Sequence, residues 1–149
     1  MNRAVRAVVL AIGLLSIMSG VALSKAGGVP AIPLNNEQET TGATGGGSGF
    51  FSYTVTGSQL CYTLEVRNLT AAPAAAHIHP GARHVAGPVA VPLATPPGAT
   101  STVSGCITAS AGGAMTPAEL AAIVADPRAF YVNVHTPQFP AGEVRGQLK

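Results

Sequence analysis

The sequence predicts an all-β domain, an antiparallel β-sandwich or open barrel, with one short helix near residues 116–125. Two observations carry this fold class. Short runs of alternating apolar and polar residues recur from Phe50 to the end of the chain, separated by Gly- and Pro-containing turns. Only one stretch combines a helix start signal with a helical apolar stripe. Many short strands and a single helix are the pattern of sandwiches and open barrels.

The elements follow in order. Phe51, Tyr53 and Val55 alternate with Ser52, Thr54 and Thr56, and Gly57-Ser58 then supplies a turn. Leu60, Tyr62, Leu64 and Val66 alternate with Cys61, Thr63, Glu65 and Arg67, so the two runs should form a hairpin. Ala76 to His79 is a third strand, ended by Pro80-Gly81. Pro88 to Leu93 is a fourth, placed at an edge by its prolines. Thr100 to Thr108 is a fifth. Thr116 is a good N-cap, Pro117 fits the first helical position, and Glu119 completes a capping box. Asp126-Pro127 stops that helix. Phe130 to His135 and Glu143 to Leu148 close the domain as a hairpin. Parity puts Phe130, Val132, Val134, Val144 and Leu148 toward the core. It puts Tyr131, Asn133 and His135 on an outer face with Glu143, Arg145 and Gln147.

Ahead of this domain, over residues 50–149, two further segments are expected. Residues 1–26 read as a secretory signal peptide: Arg3 and Arg6, then the apolar run Ala7 to Met18, then Ser24 and Ala26 at the cleavage site. The apolar run is too short to span a bilayer, and no other stretch is long enough, so no membrane span remains after leader removal. Residues 27–49 carry Pro30, Pro33 and Gly45-Gly46-Gly47 and read as a flexible linker.

Composition excludes several functions. Charged residues make up only 9% of the chain, and the formal net charge is +2. Arg3 and Arg6 belong to the leader, so the mature part is close to neutral and shows no basic face for nucleic acid. The domain's carboxylates are Glu65, Glu119, Asp126 and Glu143, and Glu119 and Asp126 are used by the helix. A paired-carboxylate hydrolase is thereby disfavoured. The glycine run precedes neither a helix nor a lysine, so it is no phosphate loop. An extracytoplasmic, non-enzymatic protein is the expectation.

Export bears on Cys61 and Cys106, an even pair that forms most simply one disulfide in an oxidising compartment. Both fall on the polar side of their strands. The bridge is therefore expected on the outer face, between neighbouring strands and not through the core.

The histidines carry the remaining chemistry. His77 and His79, at i and i+2 on one strand, point the same way, with Ile78 directed into the core. His135 faces outward by parity. Three imidazoles from two strands make a metal-ligand set that suits copper, with zinc second. Asn133 or Glu143 could orient a ring nitrogen from behind. The same residues, with Arg145, also fit a purely structural polar cluster that pins the loop from Pro80 to Pro88, and both readings stay open. His84 reads as an exposed loop residue.

Three strings complete the reading: Leu60 to Leu69 (LCYTLEVRNL), Ala76 to Leu93 (AHIHPGARHVAGPVAVPL) and Tyr131 to Leu148 (YVNVHTPQFPAGEVRGQL). With Ser104-Gly105-Cys106, they resemble the CHRD (chordin-type) domain, as a single-domain exported member of bacterial type. The resemblance implies a sandwich of immunoglobulin-like or superoxide-dismutase-like style. Its motif falls on His77, His79, Gly81, Gly87, Pro88, Asn133, His135, Gly142, Glu143, Arg145 and Gly146. The His77–His79 strand is also similar to the copper-binding strand of copper/zinc superoxide dismutase. The expected function is a binding or structural module with a histidine-lined outer site, whose partner is a protein or a metal ion outside the cytosol. The alternative is a copper-handling or copper-redox protein using His77, His79 and His135.

Overall fold

Alternation does set the strands, and the computed structural model, which describes residues 31–149, arranges them in one sheet. In chain order the elements are β1 (Ile32–Asn35), β2 (Ser48–Thr56), β3 (Gln59–Arg67), β4 (Ala75–Pro80), β5 (Val91–Leu93), β6 (Ser101–Thr108), α1 (Pro117–Ala125), β7 (Phe130–His135) and β8 (Val144–Gln147). The sheet is antiparallel in every pairing, in the order β5-β4-β7-β8-β1-β2-β3-β6. The all-β class with a single short helix holds. The two expected layers belong to one continuous eight-stranded sheet, curled so that its apolar face encloses a single core. Its two ends are drawn together where the Ala94 N–H, just past β5, donates to the Tyr62 hydroxyl of β3 at 2.7 Å. No helix among the described residues is long and apolar enough to cross a membrane.

The expected signal peptide lies outside the described residues. The linker expected over 27–49 is corrected from residue 31 onward. Ile32 and Leu34 are each 1% exposed, alternate with exposed Pro33, and form β1 between β2 and β8. Burying two such aliphatic side chains is worth about 1.5–3 kcal/mol apiece. Beyond β1 the chain stays fastened. The Asn36 amide donates to the Glu143 carbonyl at 2.8 Å, and the Gln147 N–H donates to Gln38 Oε1 at 3.4 Å. Gly42 (φ 66°) and Gly45 (φ 123°), the latter from the run that suggested flexibility, turn the chain back toward β2 in backbone conformations that glycine tolerates best.

The β2–β3 hairpin takes the expected register, with Tyr53 opposite Tyr62 and Phe51 opposite Leu64. β3 then pairs with edge strand β6, placing Cys61 directly opposite Cys106. These two form the disulfide, with Cα atoms 4.0 Å apart. It sits between neighbouring strands on the outer face, Cys106 being exposed. The fourth run forms the other edge but is shorter than expected, because Pro88 and Val89 leave the ladder to pass beside β4. In α1 the capping box is complete: Glu119 N–H donates to Thr116 Oγ1, and the Glu119 carboxylate accepts from the Thr116 N–H. Leu120 and Ile123 of α1 join the core.

Candidate metal centre

Strand pairing builds this site. β4 lies antiparallel to β7 with His77 opposite Asn133, His79 opposite Tyr131 and Ala75 opposite His135. β7 in turn pairs with β8, setting Asn133 opposite Arg145 and Tyr131 opposite Gln147. The expected parity is therefore observed: Tyr131, Asn133, His135, Arg145 and the two β4 histidines share a face.

That face is not open to solvent, as the outward parity had suggested. Tyr131, Asn133, Arg145 and His79 are all buried. Two segments roof them. Gly81 to Pro88 folds back over the strands, held by Arg145, which donates to the Val85 carbonyl at 2.9 Å and the Ala82 carbonyl at 2.6 Å. Residues 36–41 cover the neighbouring part, where the Thr41 hydroxyl donates to the Gly142 carbonyl at 2.8 Å. A polar sheet face thus becomes an interior. Its groups need partners, because an unpaired buried polar atom costs about 1–3 kcal/mol.

The three imidazoles converge. A ligand nitrogen from each of His77, His79 and His135 lies within 4.8 Å of the other two. His77 Nδ1 is 3.0 Å from His135 Nε2. Two ligands at roughly 2.0 Å from one tetrahedral ion would be about 3.3 Å apart, so this spacing is close to what a shared ion requires. The rings are held from behind by backbone carbonyls, and the Glu143 side chain is bonded elsewhere. His79 Nδ1 lies 3.0 Å from the Gly87 oxygen and 2.9 Å from the Pro88 oxygen. His135 Nδ1 lies 3.0 Å from the Pro140 oxygen. A carbonyl only accepts, so both Nδ1 atoms carry hydrogen and both Nε2 atoms present lone pairs. For His79 that lone pair has no hydrogen-bond partner among the described residues, although the residue is 6% exposed.

Burial is the main reason all three rings favour the neutral form. It pushes His77 down to about 4, with the neighbouring His135 and His79 adding to the shift. Burial likewise lowers His79 and His135, against the raising effect of their carbonyl hydrogen bonds. Neutral imidazole is the metal-binding form.

Around the rings is a second layer. Tyr131 stacks on His79, with centroids 4.9 Å apart and planes 6° from parallel. The Arg145 guanidinium lies 3.3 Å from the centroid of the Tyr131 ring. The Tyr131 hydroxyl accepts from the Gly87 N–H at 3.1 Å, tying the stack to the loop that carries the His79 acceptors. The Asn133 side chain bears on both the Glu39 carboxyl and the His79 ring. Burial, opposed by Arg145, holds the Glu39 carboxyl above the usual carboxylate range. Glu143 is elsewhere: its fully buried carboxylate accepts from the Thr70 N–H, the Thr70 hydroxyl and the Thr136 hydroxyl. His84, at φ 63°, is exposed in the loop and outside the triad.

Sequence reasoning brought His77, His79 and His135 together, and its structural reading set histidines against carbonyls of the Pro80–Pro88 loop, as His79 is. It missed Glu39. Glu39 sat in a segment whose composition suggested a tether.

A family model described as the CHRD domain matches residues 31–148. No curated protein and no solved structure matches the chain.

Proposed function

The chain belongs to the CHRD domain family, and from that premise we propose that it is an exported, non-enzymatic module binding one transition-metal ion, copper first and zinc second, through His77, His79 and His135. The observation that carries this reading is the buried, unpartnered Nε2 of His79, within ligand distance of the other two rings. An ion would satisfy that lone pair. His135 offers Nε2 in the same tautomer. In the metal-free site a single proton lies between His77 Nδ1 and His135 Nε2; moving it to the far nitrogen of His77 frees a third lone pair. The Gly87, Pro88 and Pro140 carbonyls hold the rings in place, which limits the ordering cost of binding. A disulfide on the outer face suits an oxidising compartment and supports export.

A structural cluster is the second reading, favoured by the direct His77–His135 contact and by the hold of His79 on the Gly87–Pro88 segment. Calorimetric titration with Cu(II), Cu(I) and Zn(II) separates the two. The metal reading expects one ion per chain and at least about hundredfold weaker binding in His77→Ala and His135→Ala, some 2.7 kcal/mol. Weak binding that neither substitution alters would leave only the structural reading.

A further inference from the structure

Resting on that metal reading, we propose that Arg145 makes the three-histidine site selective for monovalent copper over Cu(II) and Zn(II), its charge reaching the site beside the Tyr131 ring that both it and His79 contact. The first argument is ligand charge. The described residues that group as ligands are three imidazoles, with no carboxylate or thiolate among them. Metal-ligating histidines often pass their other N–H to a carboxylate, whose charge helps to neutralise a divalent ion. Here the acceptors behind His79 and His135 are the neutral carbonyls of Gly87, Pro88 and Pro140.

The second argument is the fixed cation. Arg145 is 1% exposed and Tyr131 3%, so solvent and salt screen the guanidinium poorly. It lies over the Tyr131 ring, 3.3 Å from its centroid, and His79 stacks on the same ring with centroids 4.9 Å apart. Its hydrogen-bond acceptors, the Ala82 and Val85 carbonyls and Gln147 Oε1, are uncharged. The carboxyl that opposes it, Glu39, lies toward Gly142 and Asn133, and burial disfavours its ionised form. The charge that acts on the His79 ring is that of Arg145. Coulomb repulsion from a fixed cation is twice as large for a divalent ion as for a monovalent one at the same place. Monovalent copper, with a filled d shell, is also satisfied by three neutral nitrogens.

The test uses the full chain. Cu(I) affinity is read by competition with a chromophoric chelator under anaerobic, reducing conditions. Cu(II) and Zn(II) affinities are read by calorimetry, and the potential of the bound copper by voltammetry. The unmodified chain should bind Cu(I) at least about tenfold more tightly than Cu(II) or Zn(II). Arg145→Gln, which removes the charge, should shrink the Cu(I)/Cu(II) preference about tenfold and so lower the potential by about 59 mV. Arg145→Lys should stay near the parent value. Tighter binding of Cu(II) or Zn(II) by the unmodified chain overturns the proposal, and so does a potential that Arg145→Gln leaves unchanged. The first comparison stands whether or not Arg145→Gln folds. Failure to bind any of the three ions overturns the metal reading itself, whereas binding in the reverse order overturns only the preference.

Discussion

Replacing Glu143 separates a residue that holds the fold from one that serves the metal. Its carboxylate is fully buried and accepts hydrogen bonds of 2.8 Å from the Thr70 N–H, 2.7 Å from the Thr70 hydroxyl and 2.6 Å from the Thr136 hydroxyl. These bonds join the segment after β3 to the β7–β8 hairpin. A hydrogen bond to a charged group contributes about 1.5–3 kcal/mol, and bonds sharing one acceptor group are less than additive. Removing the carboxylate also leaves the buried Thr136 hydroxyl with the Thr70 hydroxyl, 3.3 Å away, in place of its shorter bond, while relieving the cost of burying a charge. Glu143→Ala should therefore lose about 4 kcal/mol, or roughly 15 °C in Tm for a domain of this size. Glu143→Gln keeps the shape and one carbonyl acceptor, and should lose about 1–2 kcal/mol. Urea unfolding followed by circular dichroism gives both values. Calorimetry on the Gln variant should find metal affinity within about threefold of the parent, under 1 kcal/mol. A Glu143→Ala variant as stable as the parent would refute the tie. A Gln variant that folds normally yet loses its metal would show the carboxylate acting on the rings.

Four further outcomes are expected. Leu34→Ala in β1 should cost about 3 kcal/mol, as for other fully buried leucines, and a change below about 0.5 kcal/mol would mean that the N-terminal strand is not part of the core. Metal-free protein should lose stability as pH falls from 6.5 to about 4. His77 is depressed to about 4 in the fold, so the unfolded chain takes up protons first; a urea midpoint that holds or rises over this range contradicts the assignment. Gly87→Ala places a Cβ against the Pro80 carbonyl oxygen, so the loop carrying the His79 acceptors must move. Metal affinity should fall at least about tenfold with far-ultraviolet circular dichroism unchanged, and unaltered affinity would rule out loop control of His79. Cys61→Ser with Cys106→Ser should cost about 4 kcal/mol for a bridge spanning 45 positions, read from urea midpoints.

What the sequence revealed and concealed follows physical lines. The β2–β3 hairpin was legible because nine residues of alternation per strand leave little freedom in register. The capping box of α1 rests on an equally local rule, and the outward placement of Cys61 and Cys106 on strand parity. β1 was hidden. Four residues carry only two inward side chains, and the proline between them and the glycines after them are usual signs of a loop. Pro33 turns its side chain outward, and its carbonyl takes a bond from the Gln38 amide. Parity correctly grouped the histidines with Tyr131, Asn133 and Arg145, but parity assigns a face and says nothing of what covers it. The cover comes from a loop and from residues 36–41, whose docking depends on contacts such as Asn36 to Glu143, 107 positions apart. The same distance in sequence kept Glu39 out of the expected cluster.

The position of β1 has a consequence for the order of assembly. Its partners are β2, which follows it closely, and β8, which ends at Gln147 near the C-terminus. A chain that emerges N-terminus first can make the β2–β3 hairpin early, yet β1 keeps one edge unpaired until β8 has appeared. Joining Asn35 to Arg145 closes the longest loop in the sheet, a step whose entropy is recovered only when β8 docks. Completion of the sheet is therefore a late, non-local event, slow compared with formation of the local hairpin. The complete sheet therefore forms only once β8 has paired with β1.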